Sequence, residues 1–148
     1  MQKIPVITGN KIVISSLKDY FVDFQQERGA ALGIKSNVIS CFYPITNRSD
    51  TKYSFVPDFE ELNKASEYFE NQGCEFIGII HSHNSYKSNS SVNKPSKDDI
   101  NFYHSFSEAN PDFEYLLFPI IGLENNQKVI NWYIYINGEL KEINMEIA

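Results

Sequence analysis

Apolar positions along the chain follow two rhythms, and the places where one gives way to the other outline the fold. Lys11–Ser15 is apolar and β-branched and predicts a strand. From Ser16 onward, Leu17, Tyr20, Phe21 and Phe24 recur at helical spacing. Ser16 and Asp19 have the arrangement of a capping box, so a first helix is predicted to about Gln26. The small-residue run Glu27–Ile34, the turn Lys35-Ser36-Asn37 and the run Val38–Ile45 read as a hairpin. Gly29, Ala30 and Ala31 would let a neighbouring helix approach its first strand closely.

Tyr53–Val56 predicts another short strand. Asp58 then caps a second helix to about Asn71, with Phe59, Leu62, Ala65 and Phe69 on one face and Gly73 ending it. Phe76-Ile-Gly-Ile-Ile80 is a continuous apolar run, the mark of a central strand covered on both faces. It leads directly into His81-Ser82-His83. Asn84–Lys94 is polar and rich in Ser and Asn, as in an exposed loop. Ser96 opens a third helix, Lys97 to about Asn110, with Ile100, Tyr103 and Phe106 predicted to point inward. Tyr115–Ile121 and Val129–Ile136 predict strands joined through Asn125-Asn126. Asn137-Gly138 is a two-residue hairpin turn into a last strand near Leu140–Ile143. This order predicts an α/β (α+β) fold, a mixed β-sheet flanked by helices.

Length adds one constraint. A chain of 148 residues without an internal repeat or a linker has the size of one domain, expected over residues 1–148. Eleven Phe and nine Tyr supply bulk for its core. Thirteen basic against 19 acidic residues give a net charge of −6, which opposes a nucleic-acid partner because phosphate binding draws on clustered Lys and Arg. No apolar run approaches the roughly 20 residues that span a bilayer. The first residues, Met1-Gln-Lys-Ile-Pro5, lack an apolar signal region. A cytoplasmic location without a membrane partner is therefore expected. Cys41 and Cys74 fit no metal spacing of their own and are expected as core thiols.

The chemistry concentrates after the buried strand. Alternation along a strand puts His81 and His83 on one side, so both imidazoles can converge on one point. Ser96 follows thirteen residues after His83, and Asp99 lies three further on, within the first turn of the third helix. Two imidazoles and one carboxylate make a three-ligand zinc site with an open fourth position, which is the pattern of catalytic zinc. Each part also has a plain structural account. A His pair can end a strand, Ser96-x-x-Asp99 is a helix N-cap, and Glu27 can be a solvated charge. Their joint order carries more than any one of them.

In that order, Glu27 opening a small-residue strand, His81-Ser82-His83 after Gly78-Ile-Ile80, and Pro95-Ser96-Lys-Asp-Asp99 resemble the JAMM (MPN-plus, JAB) metalloproteases. The resemblance covers most of the chain. Glu27–Gly33 is similar to the family's glutamate strand, Pro44-Ile-Thr-Asn47 to its Pro-x-x-Asn, and Phe55-Val-Pro-Asp58 to the segment entering its second helix. The hairpin at Asn137-Gly138 is similar to its closing strands. The resemblance implies a cytidine-deaminase-like, JAB-type α/β/α sandwich and a zinc-dependent peptidase or isopeptidase. It implies that His81, His83 and Asp99 hold one zinc ion with a water, that Glu27 is the general base, and that Ser96 stabilises the oxyanion. The implied substrate is the C-terminal tail of a ubiquitin-like protein or its conjugate; sulfur-carrier processing and phage-tail maturation are other family settings. The alternative on the same fold is a non-catalytic MPN-type scaffold for protein interactions, although silent members lack the ligands present here.

Two departures from the family's pattern matter. The family usually has seven residues between the second histidine and the serine, whereas Asn84–Pro95 is twelve. The usual spacing would fall on Ser91 and Lys94, and a lysine cannot replace a metal carboxylate. Ser96 and Asp99 are therefore the matching pair, with five extra residues as a loop insertion, which costs little in closure entropy. Asn84 also stands where the family usually has proline, which loosens the turn. Asp98 is one position short of the serine spacing and serves the helix N-terminus. His104 is expected off the ligand face and exposed, and the Asn84–Lys94 loop, with Tyr86 and Lys87, is a candidate for touching substrate.

Overall fold

The first helix begins earlier than its β-branched sequence predicts. In the computed structural model, which describes residues 4–51, 54–83 and 93–148, helix α1 spans Lys11–Tyr20, and no strand occupies Lys11–Ser15. Asn10 caps it, its side chain accepting from the backbone N–H groups of Ile12 and Val13. Ser16 and Asp19 therefore lie inside the helix rather than at its start. Burial of Ile14 and Leu17 outweighs the local β propensity. The helix stops at Phe21 rather than near Gln26, and both the Phe21 N–H and Lys128 Nζ donate to Lys18 O.

Strands β1 (Thr8–Gly9), β2 (Gly29–Lys35), β3 (Val38–Ile45), β4 (Glu75–Ser82), β5 (Tyr115–Leu117), β6 (Ile120–Glu124), β7 (Gln127–Ile136), β8 (Glu139–Ile143) and β9 (Glu146–Ile147) form one mixed sheet. Its order is β5-β7-β6-β4-β2-β3-β1-β9, with β8 added beside β7. The central strand β4 runs antiparallel to β2 and parallel to β5 and β6. The three expected tight turns hold: Ser36-Asn37, Asn125-Asn126 and Asn137-Gly138 all have positive φ at both central residues, as type I′ hairpins require.

Two predicted strands differ. Tyr115–Ile121 is split into β5 and β6 because Pro119 has no N–H to continue the ladder; its carbonyl instead accepts from the His81 N–H. Tyr53 lies outside the described residues, and Ser54–Val56 forms no strand; an isolated bridge joins Asn47 and Pro57 beside it.

The sheet is covered on both sides, as expected for an α/β/α sandwich. Ile14 and Leu17 of α1, with Phe21 just after it, pack against Ala30, Leu32, Ile77, Ile80 and Ile121. On the opposite face, helices α2 (Phe59–Asn71) and α3 (Lys97–Ala109) set Leu62, Ala65, Phe69 and Tyr103 against Ala31, Ile45, Phe76 and Ile79. Asp58 and Ser96 cap these helices, and Gly73 follows α2 at φ 74. Ile100 is 45% exposed rather than inward, because it follows the inward-facing Asp99 and is turned about 100° from it. Phe59, 57% exposed, lines an open groove between α2 and α3 instead of the core.

Both cysteines are free thiols, Cys74 buried and Cys41 half-buried. Burial, together with the neighbouring Cys74, pushes the Cys41 thiol up to about 12. Among the described residues no helix is long and apolar enough to cross a membrane.

The pairing of β4 with β5 at Gly78 and Leu117 can be tested directly. A Cβ on Gly78 would lie 2.0 Å from Leu117 O, a backbone atom that cannot swing aside. Gly78→Ala should cost at least about 1–3 kcal/mol, read as a lowered urea midpoint. An unchanged midpoint would contradict the β4–β5 register.

Candidate metal centre

The pairing of β2 with β4 assembles the centre from the backbone outward. Gly29 lies opposite His81. The pairing continues past the strand ends, where the Ser82 N–H donates to Arg28 O at 2.8 Å and the Arg28 N–H donates to Ser82 Oγ at 2.9 Å. Ser82, fully buried between the two histidines, thus ties the chain next to Glu27 into the sheet. On the other side the His81 and His83 N–H groups donate to Pro119 O and Ile121 O, at 3.3 and 3.0 Å. Alternation then turns both imidazoles, with Ile79, toward the face that α2 and α3 cover.

Helix α3 brings the carboxylate. Ser96 Oγ accepts from the Asp99 N–H at 3.1 Å, and Asp99 Oδ2 accepts from the Ser96 N–H at 2.9 Å, completing a capping box. Capping accounts for the spacing of these two residues. It does not account for an Asp99 that is only 8% exposed. Asp99 Oδ2 lies 2.9 Å from His83 Nε2, and Oδ1 lies 3.4 Å from His81 Nε2. Glu27, fully buried, places Oε1 4.0 Å from His81 Nε2.

These donors fit a metal ion. One ligand atom from each of His81, His83 and Asp99 lies within 4.8 Å of the others. Tetrahedral ligands at 2.0–2.1 Å from zinc stand about 3.3 Å apart, close to the spacings just given. His81 Nε2 is buried and meets no hydrogen-bond geometry among the described residues, with Asp99 Oδ1 3.4 Å away, so it is available to a cation. Burial alone would raise the Asp99 carboxyl. The charge and close approach of His81, together with hydrogen bonds from His83 and the Ser96 N–H, outweigh it and hold the group well below the usual carboxylate range. Asp99 is thus held as a carboxylate. One helical turn on, burial pushes the Tyr103 phenol well above its ordinary value, with the charges of Asp99, Tyr133 and Glu27 adding to it.

The structure therefore gathers Glu27, His81, His83 and Asp99, with Ser96 bonded to the last of them. Asp98 is exposed, as is Lys94. Ser91, Tyr86 and Lys87 lie outside the described residues. His104 is 55% exposed and turned to other partners, Tyr135 Oη at 2.5 Å and Glu108 at 3.1 Å. Asn93 fastens the approach to α3: its side-chain Nδ2 donates to Val129 O and Asn131 Oδ1, and its backbone carbonyl accepts from Tyr133 Oη.

Two neighbours were not singled out by sequence. Asn47 Nδ2 donates to Glu27 O and to Ser54 O, both at 2.9 Å. Its position in Pro44-x-x-Asn47 was the available signal. Phe55 lies with its ring nearly parallel to that of His81, and the space at Gly29 is filled by this ring rather than by a helix. The open apolar groove of about 480 Å³ between α2 and α3 is lined by none of these residues.

No family model and no curated protein matches the chain. Solved structures do. Protein DSY2949 of Desulfitobacterium hafniense superposes with a TM-score of 0.73 at 19% identity, covering 97% of this chain and 93% of that one. AF2198, a JAB1/MPN domain protein from Archaeoglobus fulgidus, gives 0.53 at 16% identity, covering 96% of this chain and 99% of that one. At these identities the likeness is one of fold. The chain has a mixed α+β, JAB1/MPN-like fold that carries a buried His-His-Asp group able to hold a metal.

The insertion register has a direct check. Asp99→Asn should weaken zinc binding by more than about 100-fold, measured by titration calorimetry, while Asp98→Asn stays within twofold of wild type. Equal losses in the two variants would overturn the choice of Asp99 as ligand.

Proposed function

We propose that this chain is a zinc-dependent metallopeptidase that hydrolyses a peptide or isopeptide bond at the C-terminal tail of a ubiquitin-like protein. The observation that carries the reading is the convergence of His81, His83 and Asp99, on a JAB1/MPN-like fold, with the buried Glu27 carboxylate 4.0 Å from the nearest imidazole nitrogen. His81, His83 and Asp99 are the ligands, which leaves a fourth position open. When bound, zinc supplies a Lewis acid and lowers the pKa of coordinated water to about 7.

The chain's own residues do the rest. Glu27 takes the proton of the attacking water as its oxygen joins the carbonyl carbon. It then hands that proton to the amine nitrogen as the C–N bond breaks, leaving a carboxylate and a free amine. Ser96 Oγ accepts from the Asp99 N–H, which leaves its own proton free to donate to the carbonyl oxygen as negative charge develops there. The ligands are each less than a tenth exposed, which favours a thin, extended chain end over a folded surface as substrate. The ubiquitin-like class follows from the family resemblance of the motifs.

The test is incubation with ubiquitin-like proteins carrying C-terminal extensions or lysine conjugates, with and without a chelator, followed by product mass. Cleavage should require zinc. Glu27→Gln should keep stoichiometric zinc yet lower kcat by about 10²–10⁴-fold. Ser96→Ala should lower kcat by about 10²–10³-fold and cost about 1 kcal/mol of stability through the lost cap. A protein that takes up no zinc on reconstitution would be a scaffold instead, and full activity in Glu27→Gln would remove the proposed base.

A further inference from the structure

The segment between β3 and α2 contributes no metal ligand, yet it meets the centre at two points. Asn47 uses its whole amide to hold it. Nδ2 donates to Glu27 O and Ser54 O, and Oδ1 accepts from the N–H groups of Ser49 and Val56. One side chain thereby fastens the backbone of Glu27 to the stretch that presents Phe55. The Phe55 ring lies 5.8 Å from the His81 ring, centroid to centroid, with only 14° between their planes. That is an offset-stacked pair.

Gly29 makes this possible. It sits opposite His81 on β2, so its side-chain direction is the one the His81 imidazole takes. A Cβ there would lie 2.2 Å from Phe55 Cζ and 2.4 Å from Cε1. The ring tip thus occupies the volume a side chain would need. A tyrosine at 55 would drive its hydroxyl, attached at that same Cζ, into the Gly29 backbone.

Rotation about the Cβ–Cγ bond of a histidine is soft, and such a rotation moves Nε2 away from the other donors. The geometry points to Phe55 as a positioning residue, admitted by Gly29 and held by Asn47, that fixes the plane of the His81 imidazole so that Nε2 faces the metal position. The inference rests on the metal-centre reading above and concerns how the ligand is oriented. Phe55 touches neither metal nor substrate in this role.

The experiment uses the full chain with Phe55→Leu, Gly29→Ala and the double variant. Leu keeps apolar bulk without a ring plane, and Ala is compatible with the extended strand at 29, so each variant acts on the stack. Zinc affinity is read by competition with a chromophoric chelator. The metal-free proteins are followed by thermal melting and by the proton resonances of the His81 ring, which the Phe55 ring current displaces upfield. Each single variant should bind zinc about tenfold more weakly, the low end of the range for residues that orient ligands, and should lose the upfield displacement. The double variant should lose little beyond Phe55→Leu alone, because the shorter side chain no longer meets the methyl group introduced by Gly29→Ala.

Wild-type affinity in Phe55→Leu, unmoved His81 resonances, or losses that simply multiply would each overturn the assignment. Should Phe55→Leu fail to melt cooperatively, Gly29→Ala decides alone, with the same two readouts. A wild-type protein that shows the displaced His81 resonances but binds no zinc would instead refute the metal-centre reading. The two failures are therefore distinguishable.

Discussion

The antiparallel pairing that sets Gly29 opposite His81 is the constraint on which the rest depends. Side chains alternate with a period of two, so a slip of one residue would carry both imidazoles to the α1 face, against Leu17 and Leu32. In the observed register His81 and His83 face α3, and Ser82 faces away and binds the backbone of Arg28. Glu27 comes to lie beside the histidines because the pairing continues beyond the start of β2 to Arg28. A missing side chain at Gly29 then leaves room for an aromatic ring against His81. One register thus fixes a ligand pair, a base and the space for their support.

Magnitudes separate this arrangement from an ordinary helix cap. A capping interaction of Ser96 is worth about 1 kcal/mol and is achieved equally well by an exposed residue three positions on. Burying a carboxylate costs several kcal/mol unless charges and donors surround it. Asp99 is buried with two imidazoles and a backbone N–H on its oxygens. Glu27 is buried as well, and His81 keeps a nitrogen without a hydrogen bond. A structural cap gains nothing from that concentration of polar groups, whereas a cation satisfies them together.

Much of this was legible in the sequence because it depends on neighbours in the chain. Strand alternation placed His81 and His83, and the capping pattern placed Ser96 and Asp99. The longer-than-usual spacing was read from ligand chemistry and the preceding Pro95, and Asp99 is buried where Asp98 is exposed. The misread parts depend on distant contacts. The strand expected at Lys11–Ser15 is helix because Asn10 caps it and the sheet buries Ile14. The strand expected over Tyr115–Ile121 is broken by Pro119, whose effect is felt across the sheet at the His81 N–H. Phe55 and Asn47 reach their targets over separations of about 20 residues or more, which no local pattern encodes. Of the small residues after Glu27, Ala30 and Ala31 meet helices as the sequence suggests, whereas the space at Gly29 is taken by an aromatic ring.

X-ray absorption at the zinc edge of the reconstituted wild-type protein tests the central claim most directly. The account predicts a four-coordinate shell of two imidazole nitrogens at about 2.0–2.1 Å with oxygen donors at about 2.0–2.2 Å, and the outer-shell scattering of two histidine rings. A sulfur contribution near 2.3 Å would place the ion at Cys41 and Cys74 instead. That result, or a shell of oxygens without imidazole, would contradict a centre built from His81, His83 and Asp99.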